Sequence, residues 1–193
     1  MNPWYAKAVV LAASVAMVVI RAPHGNRSRK VQVVKSRKGP LETVLLILAW
    51  LGFFLPLVWV FSPWLAFADY PLRPAPLVAG TALLVLGLWL FHRSHADLGT
   101  NWSITLEVRE GHTLVTQGVY RSIRHPMYSA LFLFSIGLAL ALPNVIAGPA
   151  YLVTFGLLFA LRIGREEAMM REEFGKDYED YSRRTRRLIP GVW

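Results

Sequence analysis

The chain reads as an all-α, polytopic membrane protein of five transmembrane helices, with its N-terminus outside and a C-terminal cytoplasmic helix. Three observations predict this. Hydrophobic residues make up 54% of the 193 residues and charged residues 17%, whereas a soluble domain carries about a quarter charged residues. Apolar stretches at 4–20, 41–61, 76–91, 127–142 and 145–161 approach or reach membrane-spanning length. Of the 21 Lys and Arg, 19 lie in segments 21–40, 92–126 and 162–193, leaving only Lys7 and Arg73 for the other side. The positive-inside rule puts those segments in the cytoplasm, which five spans satisfy and four or six do not.

Each element follows from local signals. The first stretch, 4–20, opens on Trp4 and Tyr5, as interfacial aromatics do. A cleaved signal peptide is the alternative, but only Lys7 precedes or enters the stretch and no small-residue cleavage site is evident, so it is taken as a span. Segment 21–40 is expected to be a cytoplasmic loop whose charges orient the chain and attract anionic headgroups. Glu42, at the start of the second span, is expected to be an interfacial charge. Connection 62–75 holds Pro63, Pro71 and Pro74 and is a turn-rich loop. Pro126 suits the first turn of the fourth span, where its missing donor costs nothing. Pro143 and Asn144 make the next link so short that spans four and five form an antiparallel hairpin. That hairpin brings residues 124–128 and 162–167 to one membrane face. Beyond Arg165 the chain reads as a cytoplasmic helix, acidic early and basic late, which complements its dipole. Phe174, Tyr178 and Tyr181 form one stripe on it, suited to core packing or membrane-surface docking, and Gly175 kinks or divides it. At this length residues 1–193 form one integral membrane domain.

Several function classes are excluded. A net charge of +9 suits nucleic acid, but a nucleic-acid binder does not carry a series of apolar runs of near-spanning length, so the expected partner is the lipid bilayer. The absence of cysteine removes disulfides, thiolate metal sites and a thiol nucleophile. No glycine-rich nucleotide loop and no G-x-S-x-G elbow is present. His92, His95 and Asp97 have some metal-ligand spacing but no third histidine in step with them, so no metal is expected.

Two polar clusters remain. The run 111–128, GHTLVTQGVYRSIRHPMY, ends where a hydrophobic helix begins. Its Arg-His-Pro is either an interfacial cap or a ligand cradle, in which helix N–H groups and the dipole favour a carboxylate. Arg162 and Glu166 share a helix face at i, i+4 and can simply pair. Arg162 also follows Leu161 directly, at a depth where an ionisable group is costly unless it snorkels or has a task. Glu167 points elsewhere and is expected to be solvated.

Residues 98–190 resemble the isoprenylcysteine carboxyl methyltransferase family, in particular its compact prokaryotic members with five spans. The resemblance rests on GHTLV at 111–115, Gly118-Val119-Tyr120, RHPMY at 124–128, Arg162 with Glu166-Glu167, and Glu173-Phe174-Gly175 followed by Tyr178 and Tyr181. It implies an S-adenosylmethionine-dependent carboxyl methyltransferase that holds the cofactor between the last two spans and the polar segments. By this resemblance His112, Thr113, Leu114, Val115, Tyr120, His125, Pro126, Met127, Tyr128 and Glu166 would bind the cofactor. Arg162 would face the acceptor, a lipophilic or prenylated molecule, and Arg162 and Glu166 would be the catalytic pair. The site would face the cytoplasm, from the inner membrane if the source is prokaryotic. Spans one to three carry no motif and are expected to help form the acceptor site. Two other readings share the same features: a phospholipid N-methyltransferase, and a non-catalytic protein that binds anionic lipids through its basic face.

Overall fold

The computed structural model describes residues 1–28, 32–36 and 39–191; Arg29, Lys30, Arg37 and Lys38 of the expected basic loop lie outside the described residues. The helices are α1 (Trp4–Ser28), α2 (Pro40–Phe61), α3 (Pro74–Leu98), α4 (Pro126–Ala141) and α5 (Ala147–Arg184), joined by a short antiparallel pair, β1 (Val33–Ser36) and β2 (Glu107–Arg109). Prolines sit in the first turns of α2, α3 and α4, and Gly99, at φ 59°, stops α3. Four helices are long and apolar enough to cross a bilayer, and α4 is a shorter apolar helix. Its 16 residues rise about 24 Å, and it is sheltered: Ala130, Phe134, Leu138 and Ala141 are fully buried against its neighbours. Val19, Leu51, Val78, Val85 and Val153 point outward, as they would towards lipid. The protein is a multi-pass membrane protein.

Helix boundaries differ from those read in the sequence. α1 passes Arg21 and continues to Ser28 through Pro23, α3 passes His92 to Leu98, and α5 runs from the last span into the expected separate tail helix. Charge marks where an apolar window ends, but the backbone carries on helically past it. The break in α5 lies at Gly175, whose φ of 51° is open to glycine and strained for other residues. The β1–β2 pair was not anticipated, because its strands lie far apart in sequence and are short.

α3 lies along α4, α5 along both α4 and α2, and α1 against α3. Glycine makes the α3–α4 approach possible: a Cβ on Gly80 would stand 2.7 Å from the Gly137 carbonyl oxygen, and one on Gly87 2.9 Å from the Phe134 nitrogen. At the end of the bundle opposite His125, Asn144 locks the α4–α5 hairpin. Its amide donates to Leu65 O and Asp69 Oδ1, both at 2.7 Å, and its oxygen accepts from the Ile146 and Ala147 amides that open α5. Trp59 Nε1 donates to the same Asp69 oxygen at 2.7 Å and ties α2 to this corner.

Gly80→Val is therefore expected to cost about 1–3 kcal/mol or more, since the obstruction is backbone. Gly156→Ala, where a Cβ meets nothing within 4 Å, is expected to be neutral or slightly stabilising. Unfolding titrations in detergent micelles would separate the two; equal stabilities would contradict the close-packed seam.

Candidate functional site

The hairpin brings the two polar clusters together. Tyr128, one turn into α4, donates its hydroxyl to Glu166 Oε2, and His125 Nδ1 lies 3.7 Å from Glu166 Oε1. Arg162 Nε is 3.5 Å from Glu166 Oε2, so the i, i+4 pair forms as its spacing allows. Arg162 has further partners: its Nη1 donates to Ile104 O at 2.7 Å and lies 3.5 Å from Glu42 Oε1.

Two carboxylates behave differently from the sequence expectation. Glu42 is no interfacial charge: it is 4% exposed, pairs with Arg162 and accepts the Leu106 amide at 3.0 Å. Glu167 is not solvated. It is 2% exposed and sits at the centre of the cluster. Arg124 Nη2 and His125 Nε2 approach its Oε1 at 3.3 and 3.4 Å, Arg187 Nη2 donates to its Oε2 at 2.8 Å, and Arg171 stands at 3.5 Å. On an unbroken helix Glu167 and Arg187 would be about 30 Å apart. The break at Gly175 turns the chain back instead, and the segment after α5 runs parallel to the Arg-His-Pro run. Arg124 N donates to Arg186 O at 2.7 Å, His125 N to Arg187 O at 3.0 Å, and Ser129 Oγ to Leu188 O at 2.6 Å. Arg124 closes the fold-back by donating from Nη1 to Ser182 O at 2.9 Å and to Thr185 O. The aromatic stripe is part of this packing: Tyr178 and Tyr181 are buried, and the Tyr181 hydroxyl donates to Tyr120 O at 2.7 Å.

Segment 112–115 is anchored by a reciprocal pair: Thr113 N donates to Asn101 Oδ1 at 3.0 Å and Asn101 Nδ2 to Thr113 Oγ1 at 3.1 Å. Asp97 accepts the Val119 amide at 2.9 Å, with Gly118 (φ 59°) pressed against its carboxylate where no side chain would fit. His95 is buried with Nδ1 on Phe91 O at 3.0 Å, whereas His92 is exposed, so these three residues do not converge.

A cavity of about 230 Å³ opens between these parts. His112, Thr113, Leu114 and Val115 border it on one side, Tyr120, His125, Met127 and Tyr128 on another, and Arg162 and Glu166 on a third. Pro126 is buried in the first turn of α4 and does not border it. The opposite wall comes from spans one and two, through residues that the sequence did not single out: Met17 and Arg21 of α1 and Trp50 and Phe53 of α2. Sequence reasoning missed Arg124, Arg187 and Glu167 as a network, although a glutamate beside a membrane-boundary arginine was a usable signal. The cavity is thus charged at the Arg162 end and apolar towards α1 and α2.

Burial draws the His125 pKa down, but hydrogen bonds and charge from Glu166 and then Glu167 outweigh it, and the net shift is upward. The folded protein then holds a proton that the unfolded chain releases above its ordinary value of 6.5.

A bundle of apolar helices with an ion-pair cluster buried over an amphipathic cavity defines an integral membrane protein with a candidate ligand site near the ends of its spans. Residues 80–172, just under half of the chain, match the isoprenylcysteine carboxyl methyltransferase (ICMT) family. Protein-S-isoprenylcysteine O-methyltransferase B of Arabidopsis thaliana is 34% identical over 115 residues, 58% of each chain. The Homo sapiens protein-S-isoprenylcysteine O-methyltransferase is 34% identical over 117 residues, 60% of this chain and 41% of its own. Among solved structures, that of a eukaryotic intramembrane Ras methyltransferase, ICMT, superposes with a TM-score of 0.54 at 30% identity, covering 82% of this chain and 55% of the other. The chain thus spans about half the length of these relatives.

Glu167→Gln is expected to destabilise the protein by about 3 kcal/mol, because arginines lose their counter-charge in a buried setting. The His125 contribution is complete below pH 6.5 and is lost as pH rises through the raised value. The unfolding midpoint should therefore fall more steeply above pH 6.5 in the wild type than in His125→Gln. Parallel slopes would remove His125 from the network's energetics.

Proposed function

We propose that the protein is an S-adenosylmethionine-dependent carboxyl O-methyltransferase acting on a lipid-linked or otherwise amphipathic acceptor at the cytoplasmic membrane face. The observation that carries this reading is that one cavity joins the charged walls of α4 and α5 to an apolar wall on α1 and α2. The residues present suit the cofactor's zwitterionic, cationic chemistry: the Glu166 carboxylate borders the cavity, and the buried Tyr178 hydroxyl, also on its wall, has no hydrogen-bond partner among the described residues. His112, Thr113, Leu114, Val115, Tyr120, His125, Met127, Tyr128 and Glu166 would hold it, with Pro126 setting the start of α4 rather than touching it. When bound, S-adenosylmethionine supplies a methyl group already activated on a sulfonium, so a carboxylate acceptor needs no base.

The protein's task is then positioning and exclusion of water. Arg162 is oriented by Ile104 O, Glu42 and Glu166, while its Nη2 makes no hydrogen bond among the described residues and is suited to an acceptor carboxylate. Glu166, fixed by Tyr128 and Arg162, keeps the adjoining wall anionic. An amine acceptor would need a base, and His125, committed on both ring nitrogens to the carboxylates of Glu166 and Glu167, is poorly placed for that role, which favours a carboxylate. Both polar clusters lie at the end of the bundle that the basic residues assign to the cytoplasm, with the N-terminus outside and residues 1–193 acting as one domain.

Purified protein in detergent is expected to bind labelled S-adenosylmethionine and to methylate a farnesylated cysteine but not phosphatidylethanolamine. Arg162→Ala should lower turnover at least about a hundredfold while retaining most cofactor binding. Normal turnover in that variant would refute the arginine's role, and transfer to the amine lipid would refute the acceptor class.

A further inference from the structure

A second hollow, of about 630 Å³, lies at the polar end of the bundle, outside the cavity that Arg162 borders. Tyr181 and Thr185 form its base, buried and with their hydroxyls already committed. Tyr181 donates to Tyr120 O at 2.7 Å, and Thr185 Oγ1 donates to Tyr181 O at 2.8 Å. Thr116, Gln117, Arg121 and Arg184 also border the hollow, and these four are exposed or half-buried. One backbone pairing holds its two sides together: Arg186 N donates to Ser122 O at 3.3 Å and Arg124 N to Arg186 O at 2.7 Å. Arg121 precedes one of these paired segments and Arg184 the other. The fold-back that satisfies Glu167 therefore also brings two sequence-distant arginines to one concave site.

The bordering groups lack partners. Among the described residues, the side chains of Thr116, Gln117 and Arg121 make no hydrogen bond and no ion pair. Arg184 donates from Nε to Asp180 O at 3.2 Å, and its terminal nitrogens make no hydrogen bond among the described residues. No carboxylate among the described residues borders the hollow. The nearby ones are engaged: Asp97, behind Gly118, accepts the Val119 amide at 2.9 Å and pairs with Arg93 at 3.3 Å, and Asp180 pairs with Arg183 at 3.5 Å.

Exposed guanidiniums are screened by water and salt, so their charge alone requires no ligand. The convergence is what argues for one: two cations and two neutral donor side chains, all with donors to spare, stand around one hollow. An anion with several acceptor oxygens uses such a set, and guanidinium donors match a phosphate in charge and spacing. Anionic phospholipids place such groups at the ends of spanning helices.

We propose that this hollow is a phosphate site, with Arg121 and Arg184 supplying charged donors and Thr116 and Gln117 neutral ones, the phosphate belonging to an anionic lipid headgroup or to a soluble ion. It is distinct from the cavity assigned to methyl transfer and stands whether or not that reading does.

The test titrates purified protein in neutral detergent with inorganic phosphate and, separately, with short-chain phosphatidic acid. Each titration is set against sodium chloride at matched ionic strength, and binding is read by calorimetry. The wild type should bind at least one probe saturably. The double variant Arg121→Gln/Arg184→Gln should weaken that binding about tenfold or more. Arg183→Gln, which removes an exposed charge beside the hollow without bordering it, should change it by less than about twofold. Should the double variant unfold early, Arg121→Gln alone carries the same comparison, because that side chain has no partner to lose. Variant-sensitive binding of phosphatidic acid alone assigns a lipid headgroup, and variant-sensitive binding of inorganic phosphate assigns a soluble ion. The proposal is overturned if the wild type binds neither probe beyond the chloride control, or if the double variant binds as tightly as the wild type. It is also overturned if Arg183→Gln weakens binding as much as the double variant, which would show only diffuse attraction to a basic face.

Discussion

The arrangement of the polar end depends on one buried carboxylate. Glu167 is 2% exposed, and an ionised group so placed costs several kcal/mol unless charges and donors surround it. No single segment supplies them. Arg124 and His125 come from the turn before α4, Arg171 from the next turn of α5, and Arg187 from beyond the end of α5. The chain satisfies the carboxylate only by folding its last segment back beneath the start of α4. That return buries Tyr178 and Tyr181 and closes one side of the cavity. The network adds little net stability over an apolar filling, but it admits few alternative geometries, because each lost partner leaves a buried charge.

The Asn144 corner does the complementary work at the other end of the bundle. By capping the start of α5 and holding Asp69 and Leu65, it sets the level of α5 against α4. A helix slipped by one residue would turn its faces by about 100°. Glu166 would then leave Tyr128, and Arg162 would leave both Ile104 and Glu42. The two ends of the hairpin are therefore coupled through the rigidity of the helices, and the glycine seam between α3 and α4 keeps that pair in contact.

Much of this was legible in the sequence, because it is written in local signals. Apolar length located the helices, Pro126 marked the start of α4, Gly175 marked the break in α5, and the two residues Pro143 and Asn144 forced the hairpin that joins the polar clusters. The features that escaped are non-local. Glu42 looks like any boundary carboxylate until Arg162 and the Leu106 amide arrive from elsewhere in the chain. Glu167 looks solvated on a straight helix and becomes central only once Gly175 turns the last segment, with Arg187, back towards it. Helix ends were misjudged for a related reason: hydropathy measures where lipid stops, and α1, α3 and α5 have no breaker there.

The same distinction bears on how the cavity is divided. Its charged end is built from groups already committed to one another. Glu42 and Glu166 hold Arg162, and Glu166 and Glu167 hold His125, so a ligand entering there meets fixed dipoles rather than mobile charges. Such preorganisation lowers the reorganisation needed when charge shifts in a reaction. The α1–α2 end is the reverse: aromatic and aliphatic walls, with Arg21 as a cation held by ring faces instead of carboxylates. Ring faces attract a cation without cancelling its charge, so that end stays electropositive while remaining apolar in surface. This asymmetry between a charged end whose groups are committed to one another and an apolar end is what a cavity needs to take a polar group and a hydrocarbon chain at once.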